Sequence, residues 1–345
     1  MGAPETEIAD PPARDGLADA LPRTRQHPHF TASTGRRVLV VHHDTDMDGI
    51  LSGEIAVRAL RSEGCDVECV GWDHGREVPA TSGFHEVHVL DISAPEFLDK
   101  ADSRVVWIDH HASAIERWDA KGRPGIRGVR IDGVAACRLA WWYYHHRDRP
   151  VTKENFIDRR VDEPALVTLV GEHDVFDHHD GATWKLHCAL QAYTPGEIRS
   201  LCDEQLNPVL SGLLTRTSLE RVLAQGEIID RYKENESRRL GLTASTVEWM
   251  GLVWCFITAH GNSQLFRYAA DERHDALLLA RFDGRIGRWV VSLFPNPCKP
   301  LPFDERNSIL GVAKMMGGGG HLGASGFRAA REWMTEFLKG LQPHG

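Results

Sequence analysis

Residues 38–49 read VLVVHHDTDMDG, an apolar run that ends abruptly in two histidines and then three aspartates at alternate positions. The apolar run reads as a buried strand, and the acids stand where that strand leaves its sheet. Open α/β sheets bind ligands at that end. In extended geometry Asp44, Asp46 and Asp48 point the same way, so their charges repel unless a positive group lies among them. A divalent metal is the simplest such group.

Outward from this stretch, strand-like and helix-like segments alternate. RVLVV is followed by ILSGEIAVRALRSEG, whose Ile50, Leu51, Ile55, Ala56 and Leu60 fall on roughly one helical face. CDVECVGW, EVHVLDIS and RVVWIDHH then read as strands that each end in polar or charged residues, and such alternation implies a largely parallel sheet. GVAACRLAWWYYHH and PALVTLVGEHD read as helices, and LERVLAQGEIIDRYKENESRRL as an amphipathic connecting helix. Near residue 250 the texture changes. LVWCFITA, DALLLARFD and RWVVSLF are short strands, followed by a helix-like SILGVAKMM, the run GGGGHLGASGF and a final amphipathic AAREWMTEFLKGL. The expected fold class is α/β: an N-terminal parallel-sheet domain and a smaller α+β C-terminal domain, joined by a helical linker. The expected segments are a disordered arm over 1–36, a first domain over 37–205, the linker over 206–245 and a second domain over 246–345.

The bulk composition narrows the function. A chain of 345 residues with 42% hydrophobic composition is long enough for two domains and ordinary for a soluble protein. Its apolar runs, such as LVTLV at 166–170, fall far short of the roughly 18 residues that span a bilayer, and the first 36 residues carry no signal-like apolar core. Seven cysteines at unmatched spacings argue against a disulfide framework, which implies a reducing cytoplasmic setting. A net charge of −9 opposes binding to a long duplex, because such affinity comes largely from Lys and Arg releasing counterions. A short anionic ligand held by a metal and a few local basic groups remains compatible.

Further acid and histidine clusters stand at strand or helix ends: Asp91 in VHVLDIS, Asp109-His110-His111 in VVWIDHH, and Asp174 in LVGEHDVFD. Singly, a carboxylate closing a strand is a common helix N-cap, and a lone histidine is usually a satisfied surface or core group. Together they form a set of imidazole and carboxylate donors suited to Mn²⁺, Mg²⁺, Fe²⁺ or Zn²⁺, with one carboxylate able to bridge two ions. Two metals about 4 Å apart activate water and neutralise the charge of an in-line phosphoryl displacement.

His42, Asp46 and Asp48 in HxxxDxD spacing, the lone Asp91, the Asp109-His110-His111 triplet and the later Asp174 resemble, in order, the four motifs of the DHH phosphoesterase family. GGGGHLGASGF at 317–327 is similar to the glycine-histidine signature of that family's associated C-terminal domain. The resemblance covers roughly 37–330. It implies a metal-dependent phosphodiesterase or phosphohydrolase acting by two-metal activation of water, with the active site between the two domains. His42 and Asp46 would hold one ion, Asp48, His110 and Asp174 the second, and Asp91 would bridge them. Asp109 would orient a ligand histidine. His111 would donate to a non-bridging phosphate oxygen, and His321 would contact the terminal or scissile phosphate. Asp44 matches an acidic position of the single-strand exonuclease branch and stands as an extra candidate ligand. His43 matches no position of the family pattern.

Gly318, Gly319 and Gly320 let a backbone approach a phosphate closely, with amides exposed and no Cβ in the way. Relatives that cut short oligonucleotides often carry an arginine soon after the serine-leucine of the strand seen here as VSLF; this chain has Phe294-Pro295-Asn296 there, so Arg306 and Asn262 are the candidate nucleotide anchors. The expected cofactor is Mn²⁺, two ions, with Mg²⁺ as substitute. The expected partner is a short single-stranded oligonucleotide or small nucleotide, with no long duplex, no membrane, and room for a homodimer. Nucleoside 3′,5′-bisphosphates and cyclic dinucleotides are rival substrates. DxDxDG at 44–49 also opens an EF-hand pattern, but Ile55 stands where the twelfth-position glutamate belongs. DMDGIL at 46–51 resembles the nucleophile motif of haloacid-dehalogenase-type phosphatases, a reading that leaves the histidine pair and the glycine run unused. A non-catalytic nucleotide-binding module is the remaining alternative, and clustered carboxylates without a metal would be costly for it.

Overall fold

The computed structural model describes residues 34–93, 95–99, 103–122, 125–177, 181–206, 213–299, 308–320 and 323–342. Its described residues fall into two compact units, one from 34–132 and 139–151, the other from 133–138 and 152–342.

The first unit begins with β1 (Arg37–His43), α1 (Met47–Ser62), β2 (Asp66–Trp72), β3 (Glu86–Leu90), α2 (Pro95–Leu98), β4 (Val105–Ile108) and α3 (Ala112–Ala120). The division between the units falls within the next helix, α4 (Ala136–His145). The four strands pair in parallel in the order β2-β1-β3-β4, as the alternating pattern implied. Both faces are covered, so the strands read as nearly continuous apolar runs. Leu39, Val41, Val87, Val89, Val105 and Trp107 pack with Phe97 of α2 and Ala114 of α3. Val38, Val40, Val106 and Ile108 point the other way and are also fully buried. Register then fixes the rim. His42 pairs with Leu90 and Leu90 with Ile108, so His43, Asp91 and Asp109 are the next residues on three neighbouring strands, and the Asp91 amide donates to Ile108 O at 2.9 Å.

The second unit continues with α5 (Lys153–Ile157), α6 (Ala165–Asp174), α7 (Gly181–Leu190), α8 (Pro195–Gln205) and the 29-residue α9 (Leu213–Gly241). Its sheet is built from β5 (Ser245–Trp249), β6 (Leu252–Thr258), β7 (Ala276–Asp283) and β8 (Arg288–Pro295), then, after α10 (Ile309–Met315), β9 (Gly319–Gly320) and β10 (Ser325–Ala329); α11 (Trp333–Phe337) follows. The strand order is β5-β6-β7-β8-β10-β9, antiparallel except for the β6–β7 pair. One face packs Trp254, Leu278, Val291, Leu293 and Phe327 with Ile309 and Val312 of α10 and Phe337 of α11. On the other face Cys255, Ile257, Leu277 and Leu279 pack with Phe266, and Phe294 lies partly buried against them.

Two expectations are adjusted. Of the arm expected over 1–36, residues 34–36 join the first unit, because Thr34 N and Oγ1 both donate to Gly64 O and the Asp66 amide donates to Arg36 O; residues 1–33 lie outside the described residues. The terminal segment AAREWMTEFLKGL makes a shorter helix than its periodicity suggests. Ala329 is held in β10, and α11 gives way to a 3₁₀ turn over Leu338–Gly340, where a Cβ on Gly340 would stand 1.9 Å from Glu248 O. All seven cysteines are free. Among the described residues no helix is long and apolar enough to cross a membrane.

Candidate metal centre

The DTDMDG segment turns β1 directly into α1. Asp46 is the N-cap of α1, with φ −137° and its Oδ1 accepting from Gly49 N at 2.9 Å. The turn is tight enough to demand glycine twice. A Cβ on Gly49 would stand 2.3 Å from His43 O, and one on Gly53 would stand 2.6 Å from Cδ2 of His42. Asp48 sits buried in the first turn of α1, where the helix dipole favours an anion.

The positive group that the crowded acids require is supplied within the chain by His43. Its Nδ1 lies 2.8 Å from Asp46 Oδ2 and 3.6 Å from Asp91 Oδ2. Asp46 first, then Asp91, draw its pKa up to about 10 against the opposing effect of burial. Burial by itself would raise the Asp46 carboxyl, but the His43 contact and the Gly49 amide hold it below the usual carboxylate range. Thr45 Oγ1 caps His43 Nε2 at 2.7 Å. Sequence reasoning gave His43 no role. Its signal was register: as the last residue of β1 it stands beside Asp91.

Asp91 is 2% exposed and adopts φ +57°, the left-handed region that aspartate tolerates better than most residues. Its Oδ1 is buried and accepts no hydrogen bond among the described residues, although His110 Nε2 stands 3.3 Å away. His110 Nε2 is also 3.6 Å from Asp48 Oδ2. Ligand atoms of His43, Asp46 and Asp91 form one group within 4.8 Å of one another, and those of Asp91, His110 and His111 form a second, so Asp91 belongs to both. A buried carboxylate oxygen left without a donor, amid imidazole nitrogens and further carboxylates, is the donor set of a hard or borderline cation. The residues fit such an ion.

Asp109 is fully buried and holds the histidine pair in place. His110 N and His111 N donate to its Oδ1 at 2.7 and 3.2 Å, His111 Nδ1 does so at 2.6 Å, and Trp107 Nε1 donates to Oδ2 at 3.0 Å. Burial pushes this carboxyl up, but His111 outweighs that and its pKa is lowered; reciprocally, Asp109 raises His111. The orienting role expected for Asp109 thus falls on the His111 ring and on the His110 backbone. The His111 side chain is 47% exposed, which leaves it accessible to solute.

Other candidates are placed differently. His42 belongs to neither of these two groups: its Nδ1 donates to His43 O at 2.8 Å, which leaves Nε2 as the lone-pair nitrogen. Asp44 turns to Arg76, whose guanidinium donates to Asp44 Oδ2 at 2.5 Å. Asp174 closes α6 in the second unit. Gly318, Gly319 and Gly320 line a groove of about 760 Å³ in that unit, with Arg288, Ser292, Phe294 and Arg328 on its wall. Packing explains two of these glycines: a Cβ on Gly318 would meet Gly326 O at 2.0 Å, and Gly320 has φ +137° with Ser325 Cα at 2.5 Å from its missing Cβ. Gly319 faces open space. Asn262 is not on the groove; its Oδ1 accepts from Gln264 N at 3.0 Å and caps the 3₁₀ turn Ser263–Phe266. His321 and Arg306 lie outside the described residues.

No protein-family model matches the chain, and no curated protein does. Solved structures do. The pGpG-specific phosphodiesterase PggH from Vibrio cholerae is 12% identical over 89% of this chain and 97% of its own, with a TM-score of 0.47. Exonuclease RecJ bound to manganese is 14% identical over 88% of each chain, also at 0.47. A member of the s1p family of ribosomal proteins is 13% identical over 89% of this chain and 85% of its own, at 0.45. That third structure is a DHH domain.

Proposed function

We propose that this chain is a metal-dependent phosphodiesterase that cleaves short single-stranded oligonucleotides. The observation that carries the reading is Asp91, whose buried Oδ1 lacks a donor while its carboxylate belongs to two groups of metal-ligand atoms at the sheet rim. In this reading His42 and Asp46 would hold one ion and Asp48 and His110 the other, with Asp174 as a further carboxylate on the motif order and Asp91 contributing to both. Bound divalent ions, Mn²⁺ or Mg²⁺, would neutralise phosphate charge and make water acidic enough to attack phosphorus.

The chain's own groups do the rest. Asp109 stays ionised and keeps the His111 ring aimed outward, and the raised pKa of His111 keeps it a donor toward a non-bridging phosphate oxygen. A hydrogen bond that strengthens as charge builds on that oxygen favours the transition state over bound substrate. Gly319, with open space where a Cβ would be, admits a phosphate close to its backbone in the second unit.

A panel of dinucleotides, pentanucleotides, nucleoside 3′,5′-bisphosphates, cyclic dinucleotides and pyrophosphate, each with Mn²⁺ and with Mg²⁺, tests the reading. Oligonucleotide hydrolysis that requires metal and disappears in Asp91→Ala is the expected result. Full turnover by Asp91→Ala would rule out the assignment of the centre, and exclusive bisphosphate or pyrophosphate cleavage would replace the substrate.

A further inference from the structure

The arginines of the second unit's sheet divide into two kinds. Arg281 and Arg285 share Asp283, at 3.8 and 3.5 Å. Arg288 and Arg328 are exposed, and neither has a carboxylate within ion-pair distance among the described residues. Strand pairing makes these two diagonal neighbours. Arg328 pairs with Val290 and Gly326 with Ser292 across β8 and β10, so Arg288, Val290, Ser292 and Phe294 share a face with Gly326 and Arg328. That face is the wall of the glycine groove.

Along this wall the chemistry is graded. At one end lie two guanidiniums that form no ion pair among the described residues, with Asp283 across the strand from Arg288 and shared by Arg281 and Arg285; in the middle lie the Ser292 hydroxyl and the open side of Gly319, and at the other end the Phe294 ring. Arg328 stands two residues along β10 from Gly326, a rise of about 6.8 Å. A phosphate seated at the glycines thus has a second cationic seat beside it, reachable by the next phosphodiester of the same strand. In a chain of net charge −9, two adjacent arginines left unpaired on a concave surface are unusual, and their planar forks suit phosphate oxygens. A basic stripe together with an aromatic ring is the pattern of a single-strand nucleic-acid groove.

We propose that Arg288 and Arg328 form a phosphate-anchoring pair that seats a single strand along this sheet face, so that the preferred ligand is longer than a dinucleotide. The pair takes the place of the arginine that the VSLFPNP segment lacks. The proposal rests on the oligonucleotide reading above.

Fluorescence anisotropy of a 5′-labelled pentanucleotide, with the full chain in EDTA so that turnover is off, tests it against a labelled dinucleotide. The double variant Arg288→Gln/Arg328→Gln should weaken pentanucleotide binding on the order of ten-fold at low salt, and should flatten the dependence of log K on log salt by about 1.4, roughly 0.7 per lost phosphate contact. It should also narrow the preference for pentanucleotide over dinucleotide. Arg285→Gln, removing an arginine already paired, should leave the slope as in wild type. An unchanged slope in the double variant, or an equal loss for both ligands, would overturn the anchoring pair even if the wild-type protein hydrolyses oligonucleotides. Arginine-dependent binding without hydrolysis under Mn²⁺ would overturn the enzymatic reading and leave the pair standing.

Discussion

Asp109 illustrates how much one buried carboxylate can organise. It accepts four hydrogen bonds, and all four donors are N–H groups, so no partner has a lone pair to offer in return. Asp109→Asn would set an NH₂ against either Trp107 Nε1 or the histidine donors, leaving buried donors facing each other. The expected outcome is a 10–100-fold fall in metal-dependent turnover, by the usual cost of losing a carboxylate that orients a site histidine, with a folded protein at 25 °C. Steady-state kinetics over a Mn²⁺ series, alongside circular dichroism, measures both; wild-type kcat would show that His111 needs no orientation. At this same scale the sequence was only partly legible. Alternating acids announced a cation-binding rim, but parity could not say that His43, rather than His42, would face Asp46 and Asp91, because that depends on where β1 ends and how it registers with β3.

At the scale of elements, β3 and α4 meet through His88. The imidazole is buried between Tyr144, at 2.5 Å from Nδ1, and Glu86, at 3.0 Å from Nε2. Arg36 and Arg127 in turn hold Glu86 at 2.9 and 3.1 Å. Burial keeps His88 below its usual 6.5, and the His88 hydrogen bond, ahead of Arg127, brings Glu86 from 4.5 to about 2. Both shifts act in one direction. Below pH 6.5 the unfolded chain takes up a proton that folded His88 refuses, and between pH 4.5 and about 2 it takes up one that Glu86 refuses, so stability falls as pH falls. His43, with its pKa raised, works oppositely: its stabilisation is full below 6.5 and fades as pH rises toward 10. A comparison of wild type with His88→Gln isolates the first effect. Urea denaturation at pH 7.5 and pH 5.5 should show wild type losing more stability than the variant, and parallel losses would discard the buried neutral histidine. Helix and strand identities were legible because short, continuous apolar runs such as VLVV and VVWI give way to stretches of about 3.6-residue period along the chain. The end of α11 was not, since the close approach of Gly340 to Glu248 is tertiary.

For the molecule as a whole, the proposed centre would tie metal to folding. Four carboxylates, Asp46, Asp48, Asp91 and Asp109, gather at one rim, and their mutual repulsion is a charge that divalent ions would relieve. Manganese should therefore raise the thermal midpoint in a concentration-dependent way, by about 2.7 kcal/mol of unfolding free energy at a hundred times its Kd, and EDTA should reverse it. Scanning calorimetry with and without Mn²⁺ measures this, and a midpoint indifferent to metal would mean that the rim binds none. That the chain builds two separate sheets was readable from texture alone, but the second unit's arginine wall was not. Arg288 and Arg328 are 40 positions apart and become neighbours only through the antiparallel pairing of β8 with β10.

The left-handed backbone at Asp91 has a consequence for how this protein can drift. Glycine and asparagine take φ +57° at little cost, while branched side chains resist it. Substitutions that the fold accepts there are thus the ones that remove the charge from the centre. On the proposed function, a descendant that lost catalysis at this position would keep its architecture and the proposed strand-binding groove, so a binding protein would lie one codon away.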